Sequence, residues 1–237
     1  LEHVGLGQRP MALHGPRPLD SPWSAGKGNI PMKPMHLSTL LLIALAATAS
    51  LAADEKPLSA EPGKPAPDFT LPDVHGTNWT LSAQKGKFVV LEWINLGCPF
   101  VKKHYGSGNM QALQKEYTEK GVIWFSICSS APGKQGHFAP ADWPALIAEQ
   151  KAVPTAVLLD PDGKVGRLYG AKTTPHMYVI NPEGMLIYAG AIDDNPSADP
   201  TTIPGARNYV REALDAAMAG EPVKMSATQP YGCSVKY

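Results

Sequence analysis

The chain is poor in cysteine, poor in charge, and free of any block of like charge. Three cysteines among 237 residues are too few for a disulfide scaffold. Their spacing forms no paired metal-ligand motif, and nothing else in the chain calls for a metal or an organic cofactor. Lys+Arg 21 balance Asp+Glu 21, and only 18% of residues are charged. With no Lys/Arg run anywhere, nucleic-acid binding is excluded. Hydrophobic residues at 43% exclude wholesale disorder. There is no internal repeat and no second domain, and the longest apolar run is short for a stable membrane anchor. Individual cysteines are what remain to be explained.

The N-terminus reads as separate from the folded part. Residues 1–34 hold six of the 24 prolines, show no hydrophobic period and open on Leu1, which marks them as unstructured or as an over-called start. From Met35 the pattern changes. Lys33 and His36 precede an uncharged run whose apolar centre is LLLIALAA at 40–47, and Ser50-Leu51-Ala52 follows. A positive start, a short apolar stretch and small residues at a cleavage site describe a secretory signal peptide over 35–52. Cleavage near Ala52 predicts an exported protein, periplasmic or secreted, beginning near Ala53. The remainder, 53–237, carries 17 basic and 19 acidic residues, a net of −2, and all three cysteines. An oxidising compartment is expected for them.

After a Pro/Lys linker (53–60), residues 61–220 read as one alternating α/β domain, followed by a polar tail, 221–237, expected to add little to any core. Phe69–Leu71 and Asn78–Leu81 flank a turn signal, predicting a short N-terminal β-hairpin. Lys87–Asn95 is an almost continuous apolar run, suited to a strand buried on both faces. Cys98–Lys120 is helical in pattern with an interruption at Gly106-Ser107-Gly108. Val122–Cys128 and Thr155–Leu159 read as further strands, with Ala141–Lys151 a helix between them and Lys164–Tyr169 a helical turn after them. Met177–Ile180 and Met185–Ala189 alternate about Asn181-Pro-Glu-Gly184, a hairpin, and Ala206–Ala219 closes the domain as an amphipathic helix. The sum is a central mixed sheet flanked by helices.

This element order is that of the thioredoxin fold, and particular residues extend the likeness. Gly63-Lys-Pro-Ala-Pro-Asp-Phe-Thr-Leu-Pro72 resembles the opening of the redoxins, the alkyl hydroperoxide reductase/thiol-specific antioxidant family. Phe88–Cys98 resembles that family's strand leading to its reactive cysteine, and Thr174-Pro175 matches the cis-proline loop of the fold. The chain is closest in pattern to the peroxiredoxin-like subgroup, in which a single active-site cysteine stands at the first position of the thioredoxin motif. Two departures are plain. Val101 replaces the second cysteine of Cys-x-x-Cys, and Leu91 and Asn95 stand where typical peroxiredoxins carry Pro and Thr. The resemblance implies a thiol oxidoreductase or antioxidant acting on a small peroxide or a protein or thiol disulfide, with an external thiol as reductant. A reading from another class keeps the cis-proline groove as a non-catalytic binding module for a peptide or a metallochaperone partner.

The chemistry centres on Cys98. A cysteine where a buried strand meets a helix lies among free backbone N–H groups, which favour the thiolate. Pro99 suits the first helical position, and Lys102, four residues on, is expected to lower the Cys98 pKa further. The resemblance places a proton-relaying buried acid at Glu92, and substrate contacts at Thr174 and Pro175, with Asn95 beside them. His176 is either site-lining or an ordinary strand residue. His104, about 240° round the helix from Cys98, is assigned to packing or exposure. Cys128, ending a core strand, reads as a small buried hydrophobe. Cys233, in the tail, is open to three roles: resolving thiol for Cys98, intermolecular link, or glutathione-modified thiol. The first requires the tail to fold back.

Overall fold

The computed structural model describes residues 60–237. The expected signal peptide, the segment before it and nearly all of the linker lie outside these residues. The first elements, β1 (Thr70–Pro72) and β2 (Asn78–Thr80), pair antiparallel as the expected hairpin. The Asp73 carboxylate ties its turn, accepting from the N–H groups of His75 and Thr77 and from Trp79 Nε1.

The central sheet follows from β3 (Val89–Trp93), β4 (Ile123–Cys128), β5 (Ala156–Leu159), β7 (His176–Ile180) and β8 (Leu186–Gly190), in the order β5-β4-β3-β7-β8. β3, β4 and β5 run parallel, whereas β7 and β8 are antiparallel to their neighbours. All five residues of β3 are buried, as its apolar run predicts for the middle strand of a covered sheet. Alternate residues supply two cores. Val90, Trp124, Met177, Val179 and Tyr188 face α1 (Pro99–Gly106), α2 (Asn109–Glu119) and α5 (Tyr209–Met218). Leu91, Trp93, Phe125, Ile127 and Tyr178 face the hairpin and α4 (Lys164–Leu168). α3 (Trp143–Glu149) covers Cys128, Ile94 and Val157 at one end of the sheet. The β7–β8 turn is closed by Gly184 N–H to Asn181 O at 2.9 Å, with Gly184 at φ 84°, a conformation that glycine adopts freely. The fold is thioredoxin-like: a mixed sheet between helices, with the hairpin in front.

The tail departs most from expectation. It runs along the edge of β8, where Ala189 and Thr228 exchange backbone bonds with the facing chain and the Thr228 hydroxyl accepts from Ala191 N–H at 2.9 Å. It then crosses the end of the sheet. Cys233–Ser234 (β9) pairs antiparallel with β6 (Thr173–Thr174). Val223, Tyr231, Cys233 and Val235 pack against the two cores. At the last residue, the Tyr237 hydroxyl donates to Ala171 O at 2.8 Å. A segment polar in composition is pinned by a few well-spaced apolar and aromatic side chains, which an averaged reading of its composition misses.

Candidate active site

Cys98 is the N-cap of α1, with Pro99 at the first helical position, and the Val101 N–H is the first-turn donor that acts on its sulfur. The cysteine is fully buried, and its Sγ donates to Thr174 O at 3.1 Å. Thr174-Pro175 is the cis peptide bond of the described chain. The antiparallel register sets Cys233 opposite Thr174, so the cis-proline loop holds both thiols to one place. Gly232 makes this approach possible: at φ 134°, a Cβ there would stand 2.2 Å from Thr174 O.

Both cysteines are free thiols, and they are electrostatically unequal. Burial pushes the Cys98 thiol up. Hydrogen bonding from the Cys233 side chain, the Val101 and Cys233 backbone and the Thr174 side chain outweighs it, and the net shift is downward. Burial and the adjoining Cys98 push Cys233 up to about 11. The Thr174 hydroxyl is buried with no hydrogen-bond partner in the dithiol form. It is thus available to donate to Cys98 once that sulfur is a thiolate, which accepts strongly.

Other residues singled out from sequence fall into different places. Lys102 is exposed and is not among the leading groups that shift Cys98. Of α1, the Val101 backbone N–H and not the Lys102 side chain acts on the sulfur. Glu92 is fully buried in the central strand and pushed up by burial. Its carboxylate accepts from Tyr105 OH (2.9 Å), Trp124 Nε1 (2.8 Å), Ser126 Oγ (3.0 Å) and Gln114 Nε2 (3.2 Å). These four bonds join α1, α2 and β4 to β3, and none of them reaches a cysteine. Asn95 is likewise occupied: its Oδ1 accepts from Gly97 N–H at 2.8 Å and its Nδ2 donates to Gln135 O at 3.0 Å. It shapes the turn before Cys98 with both ends of its amide. His176 pairs with Trp93 and stacks on Tyr178, on the sheet face opposite α1. Burial and Lys172 hold it down to about 3, so it is a neutral core histidine rather than a lining residue. Cys128 donates to Gly136 O at 3.3 Å, and burial pushes it up.

Lys103, not singled out from sequence, and His104, assigned there to packing or exposure, link the site to the tail. Both are buried, in contact with Asp193 and with Tyr231 of the tail. The only hint in sequence is their position on the helix that begins at Cys98. Among the described residues, no group of three His, Cys, Asp or Glu is arranged to hold a metal ion.

A cysteine of lowered pKa at a helix start, facing a cis-proline loop at the end of a mixed sheet, makes this the candidate redox site of a thioredoxin-like fold. The chain belongs to the AhpC/TSA family, whose model matches residues 62–189. Among solved structures it is similar to an uncharacterized conserved protein from Geobacillus kaustophilus, at 28% identity and TM-score 0.63, covering 75% of this chain and 93% of that one. It is also similar to a hypothetical protein from Sinorhizobium meliloti 1021, at 25% identity and TM-score 0.62, covering 75% and 94%. No curated protein matches the chain.

Proposed function

We propose that this protein is a two-cysteine thiol–disulfide oxidoreductase, in which Cys98 is the nucleophile and Cys233 the resolving thiol. The observation that carries the reading is the placement of Cys233 opposite Thr174, against a Cys98 thiol of lowered pKa. The Cys98 thiolate attacks one sulfur of a substrate disulfide; the substrate S–S bond breaks and its other sulfur leaves as a thiolate that takes up a proton. Cys233, deprotonated to the leaving thiolate or to solvent, then attacks Cys98 Sγ in the mixed disulfide. A Cys98–Cys233 disulfide forms and the second substrate thiol is released. Two electrons pass from the protein to the substrate, and an external dithiol returns them. Thr174 Oγ1 stabilises the Cys98 thiolate in each half of the cycle.

One feature favours a disulfide over a peroxide. Asn95 stands where the peroxidases of the family carry a hydroxyl, and both ends of its amide are committed within the chain. Cys98 has no exposed surface while the tail is in place, so the tail must yield before a substrate enters. We assign Glu92 a positioning role, since its four bonds tie α1, α2 and β4 to the strand that leads to Cys98. The apolar segment 40–47 and Ser50-Leu51-Ala52 support export, and N-terminal sequencing of the mature protein beginning near Ala53 tests it.

The deciding experiment challenges the reduced protein with oxidised glutathione and, separately, with hydrogen peroxide, followed by non-reducing peptide mapping. The expected product with glutathione disulfide is a Cys98–Cys233 peptide, replaced in Cys233→Ser by Cys98 bearing glutathione. A Cys98 inert to both oxidants would leave a groove that binds without chemistry. Rapid sulfenic acid formation with peroxide alone would make the protein a peroxidase.

A further inference from the structure

The tail carrying Cys233 is held to the domain by a buried polar cluster that the exchange chemistry does not itself use. The Tyr231 hydroxyl donates to Asp193 Oδ1. It lies 3.1 Å from His104 Nε2 and 3.5 Å from Lys103 Nζ. Lys103 Nζ also donates to Asn195 O at 2.8 Å and to Asp193 Oδ2 at 3.5 Å. His104 Nδ1 faces the Asn109 side-chain amide at 2.9 Å. One proton assignment satisfies every member: Asn109 donates to Nδ1, Nε2–H donates to the phenol oxygen, and the phenol donates to Asp193. The Tyr231 ring stacks edge-on against Phe100 at 5.8 Å and lies under Lys103 Nζ.

We propose that Tyr231 is a positioning residue for the exchange reaction, its hydroxyl seated in the Lys103–His104–Asp193 socket so that Cys233 is held against Cys98. The inference rests on the exchange reading above and says what sets its geometry. Helix α1 carries both ends of the arrangement: Cys98 caps it, and Lys103 and His104 follow within its first two turns. Tyr231 precedes Cys233 by two residues, so a rigid helix on one side and a two-residue span on the other leave the tail thiol little freedom. Stability alone accounts poorly for the cluster, because a buried ion pair gains little over apolar residues of similar shape. What it supplies is a defined position, and a thiol held at its target has a high effective concentration there.

The test equilibrates the full chain in glutathione redox buffers and reads the Cys98–Cys233 disulfide, alongside the pH profile of Cys98 alkylation. Tyr231→Phe keeps the ring on Phe100 and removes only the hydroxyl. It is expected to lower the disulfide equilibrium constant about tenfold, the loss of one hydrogen bond to a charged group. It is also expected to raise the Cys98 alkylation midpoint. In a Cys233→Ser background the same change is expected to leave that midpoint unmoved, since Tyr231 acts through Cys233. Tyr231→Leu, which removes the stacking as well, is expected to shift the equilibrium further in the same direction. An equilibrium within about twofold of the parent in Tyr231→Phe, or an equal midpoint shift with and without Cys233, overturns the inference while the exchange reading stands. A parent that never forms the Cys98–Cys233 disulfide overturns both.

Discussion

Cys98 and Cys128 sit at the same ends of adjacent parallel strands, one just past β3 and the other closing β4, and both are buried. Burial raises the pKa of each, yet the net shift is down at Cys98 and up at Cys128. The difference lies in what faces the sulfur. Cys98 meets a second thiol, the Val101 N–H of the helix start and the Thr174 side chain. Cys128 has weaker help from Ser130 and an unfavourable Asp160 carboxylate nearby. Exposure therefore does not separate the thiol of lowered pKa from that of raised pKa; the donors arranged around each do.

The largest expected effect tests that contrast directly. Cys98→Ser should abolish reduction of an aromatic disulfide such as dithiobis(nitrobenzoate), by at least about a thousandfold, because a hydroxyl is a poor nucleophile at neutral pH. Cys128→Ser should retain the parent rate within about twofold. Equal losses in the two variants would break the comparison. Next in size, Cys233→Ser should trap the mixed disulfide on Cys98 and raise the Cys98 pKa toward the free value of about 8.5, read from the pH dependence of alkylation. A lower Cys98 pKa in that variant would mean that Cys233 hinders the thiolate.

A third expectation concerns buried bases rather than thiols. His104 is held down to about 4 by burial, against the upward pull of Asp193 and with a smaller downward push from Lys103, and burial holds His176 down to about 3. The unfolded chain takes up their protons near pH 6.5, whereas the folded protein resists until much lower pH. Their contribution is thus present above pH 6.5 and is lost as pH falls toward 4. The loss is about 1.4 kcal/mol per pH unit for each histidine inside that window. Urea unfolding between pH 7 and 4.5 measures it, and His176→Gln should flatten the slope by one proton; an unchanged slope would show that His176 is charged in the fold.

Smaller effects sharpen the site itself. Thr174→Val removes the buried hydroxyl and should raise the Cys98 pKa by about one unit, the scale of a hydrogen bond to a charged group. Lys102→Glu should leave the alkylation midpoint within about 0.3 unit, as expected for an exposed charge in water. A shift as large as that of Thr174→Val would return Lys102 to the group of residues that tune the nucleophile.

The elements of the fold were legible because their signals are local. β3 announces itself by five consecutive residues buried on both faces, the β7–β8 turn by Asn181-Pro-Glu-Gly184, and the break between α1 and α2 by Gly106-Ser107-Gly108. Boundaries shifted by a residue or two, as for Ala141–Lys151 against the observed Trp143–Glu149, because caps and fraying are decided by neighbours. At the site, the strand–cysteine–proline succession placed Cys98 at a helix start, and Thr174-Pro175 marked the loop facing it.

By itself, then, the sequence determined the order of strands and helices, the place of Cys98 at a helix N-terminus, and the absence of a second cysteine in the local motif. Those follow from periodicity, turn chemistry and the free N–H groups of any helix start, which need no knowledge of distant residues. Only the tertiary structure decided that Lys102 faces water while Lys103 and His104 turn inward, that Glu92 and Asn95 spend their polar atoms on neighbouring elements, and that the tail lies across the cis-proline loop. Each is a contact between residues far apart in the chain, set by which face of an element is covered. In the tail, that closure depends on three residues. Tyr231 enters a socket built from α1 and Asp193, Gly232 lets the backbone pass close to Thr174 O, and Cys233 arrives beside Cys98 as a consequence.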